Sequence, residues 1–169
     1  FIMVGKQIEY LCCFLNSKLF RFCFIDNFPE LQGGTRELRK IFVEKIPVKQ
    51  VNDKINNQFK VLLHICVNLK KTKGKFIHLF VQIIEGLLFD LYFEEEMHSK
   101  DLSIMEYVEE DLANTKLQKV YNQMKEKDYL QLADELYKTW TDPFNEVRNR
   151  LKLFATRSPK LLAQILKTE

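Results

Sequence analysis

Glycine and proline are scarce in this chain of 169 residues, which has five Gly, four Pro and one Trp against fourteen Phe. So few residues suited to special turns point to thick apolar helices rather than a turn-rich fold. The four cysteines, Cys12, Cys13, Cys23 and Cys66, show no C-x-x-C spacing, and no Cys/His cluster has zinc-ligand spacing. Adjacent Cys12 and Cys13 cannot readily bridge each other, so reduced, buried thiols of a cytoplasmic protein are expected. Charge of one sign is not in large excess. A formal net charge of +3 says little by itself about partners, and 29% charged residues argue against disorder. The longest apolar run, 76–93, contains Gln82, Glu85 and Asp90, and two acids at its centre argue against a membrane span.

Several catalytic signatures are missing too. Neither Glu-x-Lys nor Asp-x-Lys occurs, which removes the usual carboxylate–lysine end of a metal-dependent nuclease site. No proline follows Asn or another Pro, so the Asn-Pro-Pro-Tyr type of adenine methyltransferase motif is absent. There is no G-x-G or P-loop pattern to cradle phosphates. His64 falls within an apolar helix, where a core or surface role is the ordinary reading. His98 follows Glu94, Glu95 and Glu96 and reads as part of a solvated helix end. The residues therefore supply no catalytic centre.

What is present is a set of helical periods. Ile8, Leu11, Cys12, Leu15, Leu19 and Phe22 recur at helical spacing and predict a helix over 6–25. Its polar residues Lys6, Glu9, Lys18 and Arg21 argue against a signal peptide. The apolar start, Phe1 to Val4, reads as an excised piece whose first strand belongs to a larger body. Pro29 and Gly33-Gly34 end the helix. Ile41, Val43, Ile46 and Val48 alternate in part, which predicts a short strand or extended arm, with Pro47 marking its exit. A second helix is expected over 54–71 with Gly74 just past its end. A central buried helix follows over 76–93. Ser103 to Glu106 has a capping-box pattern, and Asp128, Asp142 and Ser158 read as N-caps, the last two followed by Pro. The expected fold is mainly α, a helical bundle-like domain with a small extended or β segment near residues 40–48. A boundary near 51–53 would divide it into 1–52 and 53–169.

Charge is distributed unevenly. Arg36, Arg39, Lys40, Lys45, Lys49 and Lys54 cluster in one stretch, and Lys70, Lys71, Lys73 and Lys75 in another. Residues 148–167 are basic with no acid, whereas 85–111 are strongly acidic. Each run taken alone fits a solvated helix face. The stretch at 33–45 stands out because Gly33-Gly34 precedes Thr35, Arg36, Arg39 and Lys40, so the backbone can approach a nucleic acid closely. Arginine can contact phosphate or read guanine, and Gln32 can pair with an adenine edge.

Two blocks then resemble a known family. Tyr10-Leu11 through Leu15-Asn16-Ser17-Lys18-Leu19, Gly33-Gly34-Thr35-Arg36 and Val43-Glu44-Lys45-Ile46-Pro47-Val48 form the first. Their order is similar to the C-terminal specificity region of type IIG restriction–modification enzymes and related DNA adenine-N6 methyltransferases. The second block, Ile84 to Glu95, resembles a family segment reading Ile-Asp and then Val-Tyr-Glu-Leu-Tyr, with Glu85 for Asp and Asp90 for Glu. The resemblance covers roughly 8–112. It implies that residues 1–52 end a target-recognition domain and that 53–169 are a helical C-terminal module. It implies a chain that is non-catalytic by itself, reads double-stranded DNA and belongs to one cytoplasmic bacterial polypeptide with upstream methyltransferase and nuclease domains. S-adenosylmethionine and magnesium are implied for that parent enzyme and no cofactor for this chain. The implied DNA-binding set is Gln32, Gly33, Gly34, Thr35, Arg36, Arg39, Lys40 and Lys45, with weaker help from Lys18, Arg21 and Lys70 to Lys75. Asn16 and Ser17 fit a structural role equally well. The rival expectation is a protein-interaction module whose Phe-rich faces dock onto the parent body or form a homodimer.

Overall fold

A computed structural model of the chain describes residues 4–30, 40–72, 74–116 and 123–166. Its helices are α1 (Ile8–Leu15), α2 (Lys18–Asn27), α3 (Lys40–Val43), α4 (Asp53–Lys71), α5 (Ile77–Tyr92), α6 (Glu94–Ser99), α7 (Met105–Ala113), α8 (Glu126–Thr141), α9 (Glu146–Arg157) and α10 (Pro159–Leu166). The chain is mainly helical, as expected, and no β-strand occurs among the described residues.

The segment expected to be extended near 40–48 divides. Lys40–Val43 is one helical turn, and residues 47–50 run on without regular structure. Val43 packs on the core and Ile46 is buried, while Ile41 and Val48 are exposed. The apolar pair that matters is three residues apart, which is a helical spacing, not an alternating one.

The single helix expected over 6–25 is two. Ser17 adopts an extended backbone. Its Oγ accepts the Phe20 N–H at 3.0 Å and donates to the Phe14 carbonyl at 2.6 Å. Ser17 thus finishes α1 and caps α2, and Asn16 Nδ2 bonds the Cys12 carbonyl at 2.8 Å. α4 begins on Asn52, whose Oδ1 accepts the Ile55 N–H at 2.9 Å. It closes through the Gly74 N–H, which bonds the Leu69 carbonyl at 2.8 Å. A Cβ at Gly74 would lie 2.7 Å from Leu69 Cδ2 and 3.3 Å from the Leu69 carbonyl oxygen, so a larger residue there would have to displace the Leu69 side chain.

α5 is the centre of the molecule, packed against α2, α4, α6 and α9. One core joins Tyr10 and Phe14 of α1 to Phe59, Leu62 and Ile65 of α4, Phe80 and Leu87 of α5, and Leu136 and Trp140 of α8. Each such side chain contributes about 1.5–3 kcal/mol when fully buried. A smaller cluster gathers Phe89, Met97, Leu102 and Ile165. Among the described residues no helix is long and apolar enough to cross a membrane.

Three expected caps fall differently. Ser103 does not cap α7; its hydroxyl donates to Asp90 instead. Asp128 lies inside the first turn of α8 and accepts the Lys125 N–H at 2.9 Å, so that helix starts earlier. Asp142 ends α8, and Asn145 caps α9 by accepting the Arg148 N–H at 3.1 Å. Pro143 therefore sits in the turn between the two. Pro159 does open α10, behind a fully buried Ser158.

Candidate functional site

Of the residues implicated in DNA contact, Gln32, Gly33, Gly34, Thr35, Arg36 and Arg39 lie outside the described residues. Lys40 and Lys45 flank the short α3 and are exposed, with Lys40 Nζ 3.4 Å from Glu44. Burial of Val43 and Ile46 anchors that turn, so its cations stand on a fixed base. Lys18 and Arg21 are exposed three residues apart on the first turn of α2, hence on neighbouring positions of one face. Lys70 and Lys71 end α4, where positive charge complements the helix dipole whatever else it does. The basic stretch at the C-terminal end is partly engaged within the molecule. Arg150 Nη2 lies 2.7 Å from Asp101 Oδ1, and Arg157 Nη1 bonds the Lys100 carbonyl at 3.0 Å. The acidic and basic runs thus meet one another at Asp101.

The two acids of α5 each serve another helix. Glu85 Oε1 accepts the Lys18 N–H at 2.9 Å, at the N-terminus of α2. Asp90 Oδ2 accepts the Ile104 and Met105 N–H groups at 2.7 and 2.8 Å, at the N-terminus of α7. A carboxylate at a helix N-terminus meets unpaired donors and the positive end of the dipole. Even so, burial pushes Asp90 up to about 6, against the pull of the Ile104, Met105 and Ser103 donors and of His98. Burial wins because only one oxygen is compensated: Asp90 Oδ1 is buried with no hydrogen-bond partner. Burial likewise raises Glu85, opposed by the Lys18 N–H and the Lys18 charge, and its Oε2 is also unpartnered.

Glu85 faces a cleft. α2 and α9 each pack on α5, and α10 packs on both of them, so four helices form a ring. The ring surrounds a cleft of about 540 Å³. Leu79, Phe89, Ile104, Leu151 and Phe154 give it apolar walls, Trp140 lines one part, and Lys18, Arg148 and Lys152 bring positive charge. Gly86 admits this geometry, because a Cβ there would lie 2.6 Å from Ile104 Cδ1 and 3.0 Å from Leu151 Cδ2. The cleft was not foreseen from sequence. Arg148 and Lys152 were visible as an i, i+4 basic pair, but the closure of the ring joins residues from 18 to 165.

No group of three or more His, Cys, Asp or Glu among the described residues is placed to hold a metal ion. Cys12, Cys13, Cys23 and Cys66 form no disulfide, and burial raises both Cys13 and Cys66, the latter to about 11, which suppresses the nucleophilic thiolate. Comparison with protein-family models, with curated proteins and with solved structures finds no match for this chain.

Proposed function

We propose that the chain is a DNA target-recognition and scaffold part of a bacterial restriction–modification enzyme, a type II restriction endonuclease fused to an adenine-specific DNA methyltransferase. In this reading it works in the cytoplasm, on double-stranded DNA, beside methyltransferase and nuclease domains of the same polypeptide. S-adenosylmethionine and magnesium belong to those domains. The observation that carries the reading is α3: a turn fastened by Val43 and Ile46 that holds Lys40 and Lys45 outward at the end of the Gly33 to Arg39 stretch. Binding residues on a loop held by a rigid scaffold are a common arrangement. The Asn16-Ser17 element, which carries much of the family resemblance, supports it as a scaffold.

Fluorescence anisotropy on duplex DNA across a salt series tests this. The logarithm of affinity should fall linearly with log salt. Neutralising Arg36, Arg39 and Lys40 together should lower the slope by about 2–3. An unchanged slope and affinity would refute the assignment of these residues to DNA.

One feature favours docking onto another protein surface as a second reading. Phe144 is 91% exposed. The turn that presents it is fixed by the Phe144 N–H on Asp142 Oδ1 at 2.8 Å and by Asn149 Nδ2 on the Pro143 carbonyl at 3.1 Å. Sedimentation analysis separates the cases: self-association abolished by Phe144→Ser supports a homodimer, and a monomer at high concentration rejects it.

A further inference from the structure

We propose that the cleft ringed by α2, α5, α9 and α10 binds a small amphipathic anion, with an apolar ring-sized body and one acidic head group. Its volume of about 540 Å³ lies in the range of small-molecule sites, which run from about 300 to 1,000 Å³. Such sites are mostly apolar with a few convergent polar groups, and this one has that make-up.

The polar groups specify the occupant. Glu85 Oε1 is engaged by the α2 backbone and Oε2 is buried from solvent, so Glu85 serves the α2 cap and offers the occupant no open acceptor. Arg148 and Lys152 lie one turn apart on α9 and line the cleft. Arg150 lines it too but is held by Asp101 and Glu146. Apolar walls beside two cations select a molecule with an apolar body and an anionic head. A purely apolar ligand would give Arg148 and Lys152 no counter-charge, and a fully polar one would gain nothing from Leu151 and Phe154. Lys18 is common to this cleft and to the residues expected to meet DNA, but the variants below touch neither it nor α3, so either proposal can fail alone.

Trp140 lines the cleft and is the chain's single tryptophan, so occupancy reads directly on its fluorescence. The probe is 8-anilinonaphthalene-1-sulfonate, which carries two apolar ring systems, one N–H and one sulfonate. Titrated into the whole chain, it should bind saturably at one site and quench Trp140. Arg148→Ser with Lys152→Ser should weaken binding about tenfold, the equivalent of one charge-assisted contact. Ala155→Phe, an exposed position on the cleft wall, should weaken it at least as much by narrowing the mouth. Circular dichroism checks that each variant keeps its helices, and both leave the α2 cap at Glu85 intact. Absence of saturable binding with a Trp140 response overturns the proposal. Equal affinity in wild type, the double variant and Ala155→Phe also overturns it.

Discussion

A single methyl group decides how closely α5 approaches its neighbours. At Gly86 it would press on Ile104 and Leu151, both part of the packed interior. Replacing a helical glycine by alanine normally gains up to about 1 kcal/mol, but overpacking costs about 1–3 kcal/mol. Gly86→Ala should therefore destabilise by about 1 kcal/mol, seen as a lower urea midpoint at unchanged slope. Asp90 gives a prediction with a definite sign. Its folded value near 6 exceeds the ordinary 3.8, so the native state holds the extra proton between those values. Stability then falls as pH rises from about 4 to about 6 and levels off above. The contribution is on the order of 2–3 kcal/mol at 1.36 kcal/mol per pH unit. Urea unfolding of wild type and Asp90→Asn over this window checks it. The variant should lose most of that decline, and parallel profiles would show that Asp90 is ionised throughout.

At the scale of the element, Ser17 separates two helices that apolar spacing alone runs together. Ser17→Ala removes the acceptor for the Phe20 N–H and should cost about 1 kcal/mol, measured by denaturant unfolding. The apolar stripe continues past Asn16 and Ser17 to Leu19 and Phe22, so spacing alone predicts one helix. α4, α5 and α10 were legible from local signals: the apolar period and Gly74 for α4, the long apolar run for α5, and Ser158-Pro159 for α10. The starts of α7 and α9 were not. Ser103 looked like a cap but yields to Asp90, thirteen residues away, and Asn145 takes the place given to Asp142. The turn at 40–43 was misread because Ile41, Val43, Ile46 and Val48 fit two periods, and contact of only the middle pair with the core resolves them. Of the residues expected to meet DNA, Lys18, Arg21, Lys40, Lys45, Lys70, Lys71 and Lys75 lie among the described residues, and all are exposed. The cleft was invisible because no window of sequence contains it.

The whole molecule joins its N-terminal helices to the rest through one core. The Tyr10 ring lies 5.2 Å from that of Phe59, Phe14 stacks on Tyr92 at 5.3 Å, and the Tyr10 and Tyr92 hydroxyls bond at 3.1 Å. Phe80 continues the chain of contacts to Trp140, 5.7 Å away. Helix content should therefore be lost together with the Trp140 signal, in one transition with coincident midpoints. Two separated midpoints would mean that the segment before Val51 unfolds independently. Charge is balanced at the same scale. Lys54 Nζ lies 2.8 Å from Glu109, and Asp101 joins α9, so the acidic stretch is answered by basic residues far along the chain. The Lys54–Glu109 pair is largely exposed and contributes little, about 0–1 kcal/mol.

The acids of α5 also set an order of assembly. The first amide of α2 and those of Ile104 and Met105 donate to carboxylates of α5, not to caps beside them in the sequence. Neither helix start is complete before α5 docks, however strong its own propensity. Hydrogen exchange at these three amides would consequently record the closing step of folding, not the formation of the helices that carry them. α5 is in that sense the keystone of the arch: its neighbours can be raised beforehand, but none of them locks until it is in place.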